Sequence, residues 1–164
     1  MKTKEQSLKS LIDEWKFDYV NFNILTNFSL PERKYTDYKL FHFDREISSE
    51  DAIKEIEKEG YLPANIIELL SWKEWNEKDN VVALGSVAKL RDGRHVVYLG
   101  RRGLGRNLSL DWFGCGWDCD DRFLAVRNLN LKNSDTLNSS LSLKHFVACP
   151  HCREELLIKI ELKI

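Results

Sequence analysis

Apolar residues recur at helical spacing near the start of the chain. Leu8, Leu11, Ile12 and Trp15 fall at i, i+3, i+4 and i+7, which predicts a helix over residues 5–16. Residues 17–38 mix aromatic and polar side chains around Pro31 and read as irregular chain with short strands. Tyr38–Phe43 alternates Tyr38, Leu40 and His42 against Lys39, Phe41 and Phe43, which suits a strand partly buried on both faces. Ser48 and Ser49 each offer a hydroxyl cap for a second helix, with Glu50 and Asp51 in its first turn and Ala52, Ile53 and Ile56 on its apolar face. Gly60 ends it. Pro63 is expected to open a third helix, where its missing N–H costs nothing. Ile66, Leu69 and Leu70 would face the core, with Trp72 and Trp75 at the end.

Beyond Asp79-Asn80 the period changes from helix to strand. VVALGSVAKL (81–90) predicts a buried strand, Asp92-Gly93 a hairpin turn and HVVYL (95–99) the returning strand. Leu108, Leu110 and Trp112 alternate with Asn107, Ser109 and Asp111, so one face of that strand should be buried and the other wet. Phe123–Val126 reads as a short buried strand. Residues 128–143 form a polar stretch, and Leu157–Ile164 alternates isoleucine and leucine with lysine and glutamate, a strand pattern. Helices that precede a run of strands predict an α+β architecture. The expected organisation is an N-terminal helix and irregular segment (1–39), a central domain (40–130), a linker (131–144) and a C-terminal hairpin (145–164).

Charge sharpens this picture. The 164 residues carry 25 Lys and Arg against 26 Asp and Glu, which argues against a general nucleic-acid binder held by counterion release. No apolar run approaches the ~20 residues of a spanning helix, and no hydrophobic leader follows Met1. A cytoplasmic location with no membrane partner is the expectation. The charges are unevenly distributed, however. All 15 lysines and all 14 glutamates lie outside the stretch between Lys89 and Lys132, although about seven would be expected there at the chain-wide frequency. That stretch holds seven of ten arginines, six of eight glycines and five aspartates. A glycine-rich β region with Arg and Asp in its turns is one reading, and a surface under a special compositional constraint is the other.

Two segments resemble a known family. ISSEDAIKEIEKEGYLPANIIELLSW (47–72) resembles the two-helix half of C-type lectin-like domains of the formylglycine-generating-enzyme branch, and RFLAVRNL (122–129) resembles that branch's closing strand. Residues 81–127 are also similar to uncharacterised bacterial proteins with an ALGS…W…RFLAVR frame. The resemblance implies a C-type lectin-like fold with helices packed on a small antiparallel sheet. That fold hosts the variable proteins of diversity-generating retroelements, in which adenine-directed change, often in AAC codons, yields Asn, Ser, Asp, Gly, Cys or Arg. Codons ending in C never encode Lys or Glu, so the Lys/Glu-free stretch matches what such change would leave. The resemblance thus implies a non-enzymatic display module. Its ligand-binding surface, over residues 100–121, would use Tyr98, Arg101, Arg102, Asn107, Ser109, Asp111, Trp117, Asp118, Asp120 and Asp121 on a protein or other macromolecular ligand. Gly100 is among the positions expected to vary, while Trp112 is expected mainly in the core. The calcium motifs of sugar-binding lectins and the copper-binding cysteine motif of the enzymes are missing, so neither calcium nor catalysis is implied.

The four cysteines add a second candidate. Cys149-Pro150-His151-Cys152 has the C-x2-C spacing of a zinc knuckle between strand-like segments. A structural zinc site needs four ligands. Cys115 and Cys119 could supply the other two, as could His145 or His151, or the knuckle of a second chain in a homodimer. The alternative function is therefore a zinc-stabilised intracellular adaptor or nucleic-acid-associated protein.

Overall fold

The computed structural model describes residues 4–28, 31, 35–103 and 105–128, together with the backbone of 146–148 and 155–157. It divides into two units, Met1–Asn128 and Leu129–Ile164. In the second unit, β10 (Phe146–Ala148) pairs antiparallel with β11 (Glu155–Leu157), Val147 opposite Leu156. The cysteine knuckle at 149–152, the linker at 131–144 and the strand expected beyond Leu157 lie outside the described residues.

In the first unit, α1 (Lys4–Trp15) buries Leu8, Ile12 and Trp15, as the periodicity requires. β1 (Tyr19–Val20), α2 (Asn23–Asn27), β2 (Tyr38–His42) and β3 (Ile47–Ser48) follow. Ser48 caps α3 (Ser49–Lys58), its hydroxyl accepting from the Asp51 N–H at 3.1 Å. Gly60, at φ +79°, turns the chain out of α3 into β4 (Tyr61–Pro63).

Helix α4 (Ile66–Ser71) starts three residues later than Pro63 suggests. Asn65 Oδ1 accepts from the Glu68 N–H at 3.0 Å, and Glu68 Oε2 accepts from the Asn65 N–H at 2.8 Å. That reciprocal cap, joined by the Ser86 hydroxyl accepting from the Ile66 N–H at 3.0 Å, sets the helix start. Pro63 belongs instead to β4, opposite Ala125.

The strands β5 (Val81–Leu90), β6 (Gly93–Arg102), β7 (Gly105–Trp112), β8 (Gly116–Trp117) and β9 (Arg122–Arg127) complete the unit. The main sheet runs β1-β7-β6-β5-β9-β2, with β4 also paired to β9. Strand β9 is its hinge of pairing. β2 runs antiparallel along it from Tyr38 opposite Val126 to His42 opposite Arg122. β5 lies parallel beside Arg122 and Phe123, and β4 lies antiparallel beside Ala125–Arg127. The sheet is therefore mixed and larger than the small antiparallel one expected.

Strand β5 bulges between Ala83 and Val87. The Gly85 N–H donates to the Ala64 carbonyl at 2.9 Å. A Cβ at Gly85 would lie 2.7 Å from that oxygen and closer still to the Pro63 carbonyl, so only glycine fits.

Alternation along the strands sends apolar side chains to both faces of the sheet. On the first face, Val81, Ala83, Val97, Leu99, Leu108, Leu124 and Val126 pack against α1, α2 and α4. On the second, Phe41, Val82, Leu84, Val96, Phe123 and Ala125 pack against Ala52 and Ile56 of α3 and against Ile47, Phe113 and Trp117 around the small β3–β8 pair. The unit is α+β. None of the described helices is long and apolar enough to cross a membrane.

Candidate functional site

The cover on the second face is incomplete. It lies over β2, β9 and β5 and stops at β6, where Tyr98 is half-buried at its margin. Beyond that margin the residues on this face turn polar. Tyr98 stands opposite Ser109, Gly100 opposite Asn107, and Asn107 opposite Tyr19 of β1. Directly opposed residues on one face are neighbours in space. Tyr98, Ser109, Asn107 and Tyr19, together with Asp18, Arg102 and Gly105, line a shallow depression of about 280 Å³.

Backbone contacts hold its walls. Asp18 Oδ2 accepts from the Arg106 N–H at 2.7 Å, and the Asp18 N–H donates to the Arg106 carbonyl at 2.9 Å. These bonds dock the chain after α1 onto β7 and bring Tyr19 to the rim. Asn107 is only 8% exposed. Its amide oxygen, suitably oriented, accepts from the Arg102 N–H at 2.8 Å across the β6–β7 hairpin.

A loop at residues 118–121 closes on itself. The Asp118 N–H donates to Asp121 Oδ2 at 2.9 Å, and the Asp121 N–H donates to the Asp118 carbonyl at 3.1 Å. Asn80 Nδ2 donates to Asp121 Oδ1 at 3.2 Å. Arg122 threads the turn, donating to the carbonyls of Cys119, Asp120 and Asp121. Burial holds the Asp121 carboxyl above the ordinary carboxylate range, and the charges of Asp118 and Asp111 push the same way, against the hydrogen bonds from Asn80 and the Asp118 N–H.

No family model, curated protein or solved structure matches this chain.

The ten residues expected to make contacts therefore separate. Tyr98, Arg102, Asn107 and Ser109 line the depression. Asp111, Asp118 and Asp120 are exposed, and Asp121 is tied into its turn. Arg101 faces the other way, because neighbouring strand residues alternate, and approaches Glu77 at 3.9 Å. Trp117 is a packing residue and not a contact. It is 4% exposed, and its indole N–H donates to the Ser49 hydroxyl at 2.8 Å, which donates on to the Phe113 carbonyl at 2.6 Å. Trp112, expected mainly in the core, is 50% exposed, because it lies past the end of the helical cover on the first face. Gly100 is buried, and a Cβ there would meet Asn80 and Tyr98 side-chain atoms at 2.8 Å.

Cys115 is partly buried, Cys119 is exposed, and both are free thiols. Among the described residues no group of three or more His, Cys, Asp or Glu side chains is placed to hold a metal ion. Asp18 and Tyr19 are the site residues the sequence pattern misses. A two-residue strand has no periodicity, and its parallel pairing with β7 joins Tyr19 to Asn107, far apart in the sequence.

Proposed function

We propose that the first unit is a non-enzymatic binding module and that the uncovered part of its second face receives a protein or other macromolecular ligand. The observation that carries this is the abrupt change in that face from helix-covered apolar residues to Tyr98, Asn107, Ser109, Asp18 and Tyr19 within the span of two adjacent strands. A rigid sheet that presents two tyrosines among short polar side chains has the anchors that recognition surfaces use. Exposed Asp111, Asp118 and Asp120 extend the surface on its acidic side. The C-type lectin-like reading, with codon diversification of this surface, belongs to the same proposal. It is supported at the exposed positions 111, 118 and 120 and opposed at buried Gly100 and Asn107.

The test compares immobilised wild type with Tyr98→Ala and Ser109→Arg in capture of a partner from the native host, each variant first shown to melt like the wild type. A partner kept by the wild type and lost by both variants supports the reading. Equal retention by all three removes it. For diversification, the decisive observation is a near-copy of the codons for residues 100–127, differing mainly at adenines, beside a reverse transcriptase gene.

A second reading assigns zinc to the C-terminal unit, where Cys149 and Cys152 would supply thiolates in a zinc-stabilised adaptor. It is favoured by the antiparallel pairing of β10 with β11, the two strands that flank the knuckle in the sequence. Stoichiometric zinc in the purified chain, lost in Cys149→Ser, supports it; metal-free protein with an unchanged melting curve excludes it.

A further inference from the structure

The uncovered part of the second face carries an imbalance of charge. Asp18 and Arg102 both line its depression and offset one another. The excess lies toward the 118–121 loop, and Asn80 locates that loop. Its Oδ1 stands 2.8 Å from where a Cβ of Gly100 would lie, and its Nδ2 donates to Asp121 Oδ1 at 3.2 Å. Asp121 is therefore held beside Gly100, which faces Asn107 across the strands. Asp111 projects from the same face, two residues along β7 from Ser109. Asp111 and Asp118 are both near enough to Asp121 to help raise its carboxyl. The three aspartates thus converge beside Tyr98 and Ser109, with Asp120 exposed in the same loop.

Most acidic side chains of the unit are already paired. Asp37 lies against Arg127, Glu50 against Arg94, Glu55 against Lys58, Glu59 against Lys39 and Glu77 against Arg106. Asp111, Asp118 and Asp120 have no ion pair among the described residues, and all three are exposed. The nearest cations are committed elsewhere. Arg122 is turned into the carbonyls of its own loop and toward Asp79. Lys89 stands opposite Arg94, whereas Tyr98 stands opposite Val82, so Lys89 lies at the far end of β5. Like charges left together on one surface favour a partner of opposite charge and repel polyanions. The aromatic rings agree with that preference. Tyr19 is 50% exposed, and Tyr98 leans over Gly100, its Cε2 2.8 Å from the missing Cβ. A tyrosine ring accepts both the alkyl stem and the cation of a basic side chain.

We propose that the occupant of this face is a basic segment of another protein. Its lysine or arginine stems lie over Tyr98 and Tyr19, and its cationic heads reach Asp111, Asp118 and Asp120. The inference rests on the reading of this face as a binding surface and names the partner's chemistry.

The test titrates the full chain, at low salt, into a fluorescein-labelled octapeptide of alternating Lys and Ser, with the Glu–Ser and Gly–Ser octapeptides as controls. Anisotropy gives affinity, and amide NMR shifts give location. The Lys–Ser peptide should saturate below about 1 mM, with shifts centred on residues 98–111 and 118–121, and the controls should not. Asp111→Asn combined with Asp118→Asn should weaken it about fivefold, the size expected of two exposed charge contacts. Asn at 111 can still accept from the Trp112 N–H, as Asp111 Oδ1 does at 2.7 Å. Asp13→Asn combined with Glu74→Gln makes the same charge change at exposed positions on α1 and after α4, and should leave binding unchanged. The proposal is overturned if the Lys–Ser peptide does not saturate, if either control binds as well, or if the two double variants bind alike. Its failure is distinct from that of the underlying reading: a native partner lost with Tyr98→Ala but kept by the Asp111/Asp118 variant overturns the basic partner and leaves the face as a binding surface.

Discussion

Arg106 lays its guanidinium over the ring of Trp15, 5.4 Å from the centroid, and donates from Nη1 to the Trp15 carbonyl at 2.8 Å. Phe17 and Trp75 each stand 5.8 Å from the same cation, and Glu77 Oε1 lies 3.1 Å from Nε. One residue of β7 thereby ties the end of α1 to the segment after α4. Replacing it with alanine removes a partly desolvated cation–π contact and a charged hydrogen bond, a loss of about 2 kcal/mol. Lysine should restore less than half, because an ammonium cannot stack and reach the carbonyl together. Urea unfolding of Arg106→Ala and Arg106→Lys measures both.

Ser49 relays a hydrogen bond from the Trp117 indole to the Phe113 carbonyl in a buried site. Ser49→Ala leaves a donor and an acceptor without partners and should cost about 2 kcal/mol. Trp117→Ala, which also opens a cavity beside Phe123, should cost about 3–5 kcal/mol. If Trp117→Ala left the denaturation midpoint unchanged, its placement in the core would be wrong.

Gly85→Ala should destabilise the unit by about 3 kcal/mol. The added methyl meets two backbone carbonyls that cannot swing aside as a side chain can. Gly114→Ala, where the added methyl meets open space, is the control and should lie within about 0.5 kcal/mol of the wild type.

Asp121 gives a pH dependence with a definite sign. Its folded-state pKa is raised above that of an ordinary carboxylate, so the folded protein holds that proton more tightly than the unfolded chain. The resulting stability is complete below the unfolded pKa and is lost as pH rises through the folded one. Asp121→Asn lacks the titration. Its stability relative to wild type should therefore improve from acid to neutral pH, which thermal unfolding across pH 3–7 would reveal.

Local chemistry was readable along the sequence, and long-range pairing was not. Leu8, Ile12 and Trp15, the Ser48 cap, Gly60 and the Asp92-Gly93 turn each act within a few residues, and their elements form where expected. Pro63 misled because its preference for a first turn yields to the Asn65–Glu68 cap, which depends on a tertiary setting that includes Ser86. Strand alternation placed Asn107, Ser109 and Asp111 on one face correctly. It could not say that the helical cover ends short of Trp112, or that Trp117 would be drawn in by Ser49, 68 residues away. The tip of the β6–β7 hairpin was hidden by its glycines and arginines, which look like loop. Once Arg101 and Arg102 are in a strand, they must part to opposite faces.

The pairing around β9 also sets an order of events. β2, β4 and β5 all precede it in the chain, and each takes it as a neighbour. A nascent chain that ends before Arg122 carries three strands with an open edge toward a partner not yet made. Such edges are templates for mispairing with other chains. The unit thus has no foldable N-terminal half. Fragments cut before residue 122 should be insoluble even though most of the apolar core lies within them, and the last strand of this unit to be synthesised acts as the clasp for β2, β4 and β5.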